Sequence, residues 1–128
     1  MNAVRLAAVA LGGALGATLR YAVSGWVAAA TRSSVFPYGT LSVNVAGAAV
    51  LGLVMGGLTS GRISLDPTLR VFLTIGVLGA FTTFSTFSYE TVQAARLGDV
   101  RVALANVAAS LLLGFVACWI GLKLGRTL

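Results

Sequence analysis

Four apolar runs, each long enough to cross the hydrocarbon core of a bilayer, leave this chain few folds to choose from. They extend over about 3–30, 40–58, 69–95 and 100–122, and about 20 apolar residues make a crossing helix. Lipid cannot satisfy the exposed backbone groups of a strand edge, so all four are predicted to be helices. Composition agrees. Of 128 residues 58% are hydrophobic and 9% charged, with a mean hydropathy of +0.96. A soluble domain carries roughly a quarter charged residues; so few cannot cover a water-facing surface. The expected class is an all-α membrane protein forming one unit over residues 1–128.

The first run contains Arg20, and its "AAA" at 28–30 is a poor cleavage site, so it is read as a retained span rather than a leader. The net charge is +6, but the cations (Arg5, Arg20, Arg32, Arg62, Arg70, Arg96, Arg101, Lys123 and Arg126) are dispersed. Nucleic-acid binding needs them clustered, so no such partner is expected. Nearly all lie beside or between the apolar runs, where they anchor at lipid headgroups. With no histidine and one cysteine, Cys118, there is neither an intrachain disulfide nor metal-type spacing. No carboxylate pair or activated nucleophile lies in the spans, which excludes an enzyme.

Small residues recur at helix-packing spacing in Gly12 and Gly16, Gly52 and Gly56, and Gly121 and Gly125. Such pairs let helix backbones approach closely in a membrane. The charge bias is feeble. With the N-terminus on one side, Arg5, Arg62, Arg70, Lys123 and Arg126 face Arg32, Arg96 and Arg101 on the other. A chain with so little preference can insert both ways round and pair as an antiparallel homodimer.

The third run holds the anomaly. Residues 79–90 read GAFTTFSTFSYE, placing Thr82, Thr83, Ser85, Thr86 and Ser88 among three phenylalanines, just after Gly76 and Gly79. On a helix Phe84 and Phe87 share a face that Phe81 extends. A lone membrane hydroxyl usually bonds back to a carbonyl one turn earlier; five within seven residues call for more. Non-helical backbone at membrane depth is tolerated where it is buried in protein or lines a wet path. Gly76 and Gly79 before Thr-Thr are where this helix is expected to break, freeing carbonyl oxygens that suit a hard cation such as Na⁺.

That string, with GTLSVNVAG at 39–47 and GALGATLRY at 13–21, resembles the CrcB/Fluc family of fluoride channels over nearly the whole chain. The resemblance implies a dual-topology antiparallel homodimer with two fluoride pores and a Na⁺ buried on its two-fold axis. It implies a broken third helix whose Gly79 and Thr82 carbonyls hold the ion, and Phe84 and Phe87 lining the pores. It further implies Asn44, Thr40, Ser85 and Thr86 along the path, Arg20 at a vestibule, and Asn106 and Ser110 as pore-lining polar residues of the fourth helix. Passive fluoride export across a prokaryotic plasma (inner) membrane is the function implied. Where many relatives carry G-G-L before the threonines, this chain reads Gly79-Ala80-Phe81, and Ala80 lacks glycine's access to positive φ.

The residues support that chemistry physically. Fluoride is small and strongly hydrated, so a pore must replace lost water without trapping the ion. Ring edges carry partial positive charge, and several moderate sites conduct better than one deep well. Hydroxyl and amide donors at Asn44, Ser85, Thr86 and Ser110 supply the stronger contacts. Arg20 is too costly on a lipid-facing surface at mid-membrane, about 2.5 kcal/mol at least, and is expected in an aqueous vestibule. Glu90 is read as a solvated interfacial charge, and Cys118 as packing. Two other readings stand beside this one. A small dual-topology, proton-coupled drug exporter would need a membrane-embedded carboxylate, and the first, second and fourth spans have none. A structural membrane assembly protein explains the glycines but not the hydroxyls.

Overall fold

In the computed structural model, residues 2–32 and 35–128 are described. Helix α1 spans Ala3–Ala30 and α2 spans Tyr38–Thr59. The third crossing, Pro67–Arg96, is composite: α3 (Pro67–Val71), a π-helical segment (Phe72–Val77), α4 (Leu78–Phe81) and α5 (Phe84–Arg96). Helix α6 covers Val100–Thr127, five residues past the expected end at Leu122. Four helical spans are thus long and apolar enough to cross a membrane.

Local chemistry sets several of these ends. The Asn2 side chain accepts the Arg5 N–H at 2.9 Å to cap α1. Asp66 caps α3 by accepting from Thr68 at 2.9 Å and Leu69 at 3.2 Å, with Pro67 at the first helical position, where its missing N–H costs nothing. Helix α5 closes with Gly98 at φ +93°, a left-handed residue that lets the Asp99 N–H bond back to Ala94 and turns the chain directly into α6. At the far end of α6, Lys123 lies 4.0 Å over the Trp119 ring, an amphipathic pairing suited to the headgroup region.

Glycine seams hold the bundle, and all three expected pairs take part. A Cβ on Gly52 or Gly56 would land on the Cys118 or Leu122 carbonyl of α6; one on Gly121 or Gly125 would land on the Ala49 or Leu53 carbonyl of α2. Numbers rise together along this seam, so α2 and α6 run parallel, backbone against backbone. The first and third spans pair the same way. A Cβ on Gly12 would sit 2.6 Å from the Phe72 oxygen, and one on Gly16 would strike that of Val77. Those two carbonyls mark the ends of the π-helical segment. The close approach is possible because neither α1 glycine has a side chain.

The chain is non-helical at Thr82 (φ −87°, ψ 157°) and Thr83 (φ −151°, ψ 116°). Gly76 and Gly79, where the sequence places the weak point, are both helical. The physical reason is that both threonines adopt extended backbone, which β-branched residues favour, and a partner on α2 satisfies it. Ala80 is also helical, so losing glycine there imposes no backbone strain.

Candidate functional site

The partner on α2 is Asn44. Its Oδ1 accepts the Thr83 N–H at 2.7 Å, and its Nδ2 donates to the Thr83 carbonyl at 3.0 Å. An unbroken helix would send that N–H to Gly79 instead. One amide therefore takes both backbone groups of a residue 39 positions away and holds the interruption open. Gly47, one turn further along the same face of α2, makes room: a Cβ there would strike the Thr82 methyl and come within 3.2 Å of the Phe81 ring. The GTLSVNVAG stretch is accordingly one helix face, with Thr40, Val43, Asn44 and Gly47 turned toward the interruption and its surroundings.

Thr83 also starts α5. Its Oγ1 accepts the Thr86 N–H at 3.2 Å, an N-cap, donates to Thr86 Oγ1 at 3.0 Å, and lies 3.3 Å from Ser85 Oγ. This residue, 8% exposed, is the hub of the hydroxyl cluster. Sequence reasoning counted it among the hydroxyls without assigning it a role. The signal was present as a Thr-x-x-Thr pattern where a new helix begins. Thr82 and Ser88 do the ordinary thing and donate back to Leu78 and Phe84, at 3.1 and 2.9 Å.

The hydroxyls continue into a cavity. Arg20, Tyr21 and Ser24 of α1, Thr40 and Val43 of α2, and Thr83 and Thr86 line a cleft of about 240 Å³. It shares Tyr21, Ser24, Thr40 and Thr86 with a larger cavity of about 560 Å³ that opens at the ends of α1 and α5. Arg20 thus stands on a cleft wall. Thr40 is buried and donates to Glu90 Oε1 at 2.8 Å. Glu90 is not the solvated charge expected: it is half-buried against α2, because the middle of α5 packs beside the start of that helix.

Phe84 and Phe87 adjoin, with ring centroids 5.6 Å apart and planes tilted by 50°. Phe84 is 77% exposed on the single chain and Phe87 half-buried. Phe84 also borders a separate groove of about 310 Å³ lined by Asn44, Gly79, Thr82 and Thr83. Asn106 and Ser110 lie away from this groove, on α6. Asn106, fully buried, donates to Thr91 Oγ1 at 2.9 Å and accepts from Ser110 at 3.3 Å. The Thr91 hydroxyl in turn donates to the Phe87 carbonyl at 2.8 Å. Asn106 therefore reaches the Phe87 turn of α5 through Thr91, and Ser110 braces Asn106 from within α6. Thr91, absent from the sequence reading, is the link.

Chemically, the arrangement offers hydroxyls, ring edges, a guanidinium and backbone carbonyls at membrane depth. Among the described residues, no three His, Cys, Asp or Glu side chains are grouped to hold a metal ion. Oxygen atoms near the interruption come from backbone carbonyls and from the Asn44, Thr82 and Thr83 side chains.

Comparison with known proteins places these features in context. The profile of the family described as "CrcB-like protein, Camphor Resistance (CrcB)" matches residues 7–122. The fluoride-specific ion channel FluC of Geobacter metallireducens is 48% identical over 124 residues, covering 96% of this chain and 98% of the relative. The channel of the same name from Acidobacterium capsulatum is 43% identical over 118 residues, 92% and 93% of the two chains. FluC 1 of Symbiobacterium thermophilum is 45% identical over 117 residues, 91% and 94%.

Proposed function

This chain belongs to the CrcB family of fluoride-specific ion channels, and from that premise we propose that it conducts fluoride passively out of the cell as an antiparallel homodimer in the plasma membrane. Such a protein is a channel and not an enzyme. The observation that carries the reading is the latched interruption at Thr82–Thr83, with the hydroxyl-lined cleft on one side and the paired rings on the other.

Fluoride passes Arg20 on the wall of the narrower cleft, where its positive charge concentrates anions locally. The Thr86 hydroxyl, which accepts from Thr83, keeps its hydrogen for the anion, and Thr40 and Ser85 join it by turning theirs away from Glu90 and Thr83. The second N–H of Asn44, beyond the one held by Thr83, is the amide donor assigned to the anion. Phe84 and Phe87 contribute ring edges, whose weak attraction lets the ion leave. Asn106 and Ser110 fix the Phe87 turn from the α6 side. Phe84 is exposed on the lone chain, and a second copy facing α5 would complete the wall around it.

The interruption also bears on a structural Na⁺. Helix α4 ends at Phe81, so its last carbonyls lose their intrahelical donors. Gly79 and Thr82 line one groove, and their oxygens are the hard ligands such a cation takes. Bound there, Na⁺ would neutralise carbonyl charge that lipid cannot solvate.

Glu90 bears on the exporter reading, because a half-buried carboxylate does lie in the third span. Family membership favours the channel, and flux decides. Purified protein in liposomes should release fluoride rapidly to an electrode without a proton gradient, and chloride should stay behind. Phe84→Ile and Phe87→Ile should each slow release at least tenfold. Release at the parent rate in both variants would refute the ring-edge role; fluoride movement only with a proton gradient would refute the channel.

A further inference from the structure

We propose that the larger cavity at the ends of α1 and α5, the mouth, is a binding site for a small organic cation, an arylalkylammonium with N–H donors. The cavity holds about 560 Å³, within the range of small-molecule sites. The chain has only three acidic residues, and two of them, Glu90 and Asp99, line this one space. No lysine or arginine is among its described lining residues. In a protein with a net charge of +6, that is a local inversion of sign.

Both carboxylates have capacity to spare. Glu90 Oε1 takes the Thr40 hydroxyl, but Oε2 is buried and no donor among the described residues reaches it. Asp99 occupies the N-cap of α6 yet makes no side-chain cap bond; the Gly98 turn has already set that helix start. The apolar part of a ligand also has a surface to meet. Phe36 and Tyr38 stand with ring centroids 4.7 Å apart and planes tilted by 47°, and both line the cavity. Aromatic rings and carboxylates lining one cavity together suit an ammonium group. A bare metal ion fits less well, because no three-ligand group is present among the described residues.

Because the mouth shares Thr40 and Thr86 with the narrower cleft, a bound cation would stand in the fluoride route. That consequence alone rests on the channel reading.

Calorimetric titration of the detergent-purified full chain with phenethylammonium, against neutral 2-phenylethanol, tests the site. The cation should bind measurably tighter than the alcohol. Asp99→Asn should weaken it roughly fivefold, the upper range of a partly exposed ion pair, and Tyr38→Ala by a similar factor. Equal affinity for cation and alcohol, or an unchanged affinity in the double variant, would overturn the site. Neither substitution touches a residue assigned to the anion path, so both variants should release fluoride like the parent. In liposomes, phenethylammonium should slow release by the parent more than by Asp99→Asn. Binding without any slowing keeps the site and overturns the obstruction. Protein that binds the cation but never releases fluoride fails as a channel while the site stands.

Discussion

Removing the Asn44 side chain tests the latch most directly. Its two bonds to Thr83, at 2.7 and 3.0 Å, hold a residue that is only 8% exposed. In Asn44→Ala the Thr83 N–H and carbonyl lose their partners while the chain around them stays extended. Leaving buried polar groups unmade costs about 1–3 kcal/mol each, although hydrogen bonds measured in membrane proteins average nearer 0.6 kcal/mol. The rewound alternative limits the loss, because the Thr83 N–H can return to Gly79. The open form should therefore lose between about 1 and 4 kcal/mol relative to a continuous helix. At 1.4 kcal/mol per factor of ten, fluoride release should fall from roughly fivefold to several hundredfold. Asn44→Leu separates hydrogen bonding from packing, since leucine fills the volume but offers no partner. Liposomal fluoride release gives the rate, and hydrogen exchange at the Thr83 amide reports the latch itself. Both variants should be slow, with altered exchange. Parent-like release with unchanged exchange in Asn44→Ala, or full rescue by leucine, would refute the latch.

Other outcomes follow from the same geometry. Gly121→Val should lower the detergent melting temperature, by an overpacking cost of about 1–3 kcal/mol, because its Cβ meets the Ala49 carbonyl. Gly13→Ala, with nothing within 4 Å of the added Cβ, should be neutral, and equal melting of the two variants would count against the seam. Replacing Na⁺ throughout by a bulky organic cation inert toward the mouth should reduce release and lower thermal stability together. An unchanged rate and stability would remove the ion from the proposal. Tags at either terminus should be labelled from both sides of the membrane, and single-sided labelling would exclude dual topology.

The four helical spans were legible because lipid leaves a helix as the only open structure for such runs, although α6 runs five residues past the expected end at Leu122. The glycine seams were legible too: Gly52, Gly56, Gly121 and Gly125 sit four apart, and that spacing is itself the contact geometry. Thr82 and Thr83 were harder. Local propensity pointed to Gly76 and Gly79, yet those residues stay helical, and the extended pair is stabilised by an amide 39 residues earlier. Propensity is local and the latch is not. Glu90 was misjudged for a related reason. A carboxylate at the end of an apolar run reads as solvated until the start of α2 is known to supply Thr40. Thr91 became visible only once α6 had brought Asn106 against it.

These contacts divide the molecule by mechanical role. The first and third spans are joined backbone to backbone through Gly12 and Gly16, as α2 and α6 are through four glycines; close-packed seams of this kind do not yield continuously. Helix α5 lies outside both seams and has no fully buried residue. It is tied by the Thr83 latch at its start and, in its middle, by Glu90 to Thr40 and by Thr91 to Asn106. Each tie is polar and sits beside a residue assigned to the anion path. An apolar contact would hold α5 equally well in lipid but offer nothing to fluoride, whereas an amide such as Asn44, with two N–H groups, can serve both neighbours. The cluster in GAFTTFSTFSYE is thus both the fastening of α5 and the proposed lining of the route. Substitutions that loosen α5 should therefore slow conduction before they unfold the bundle.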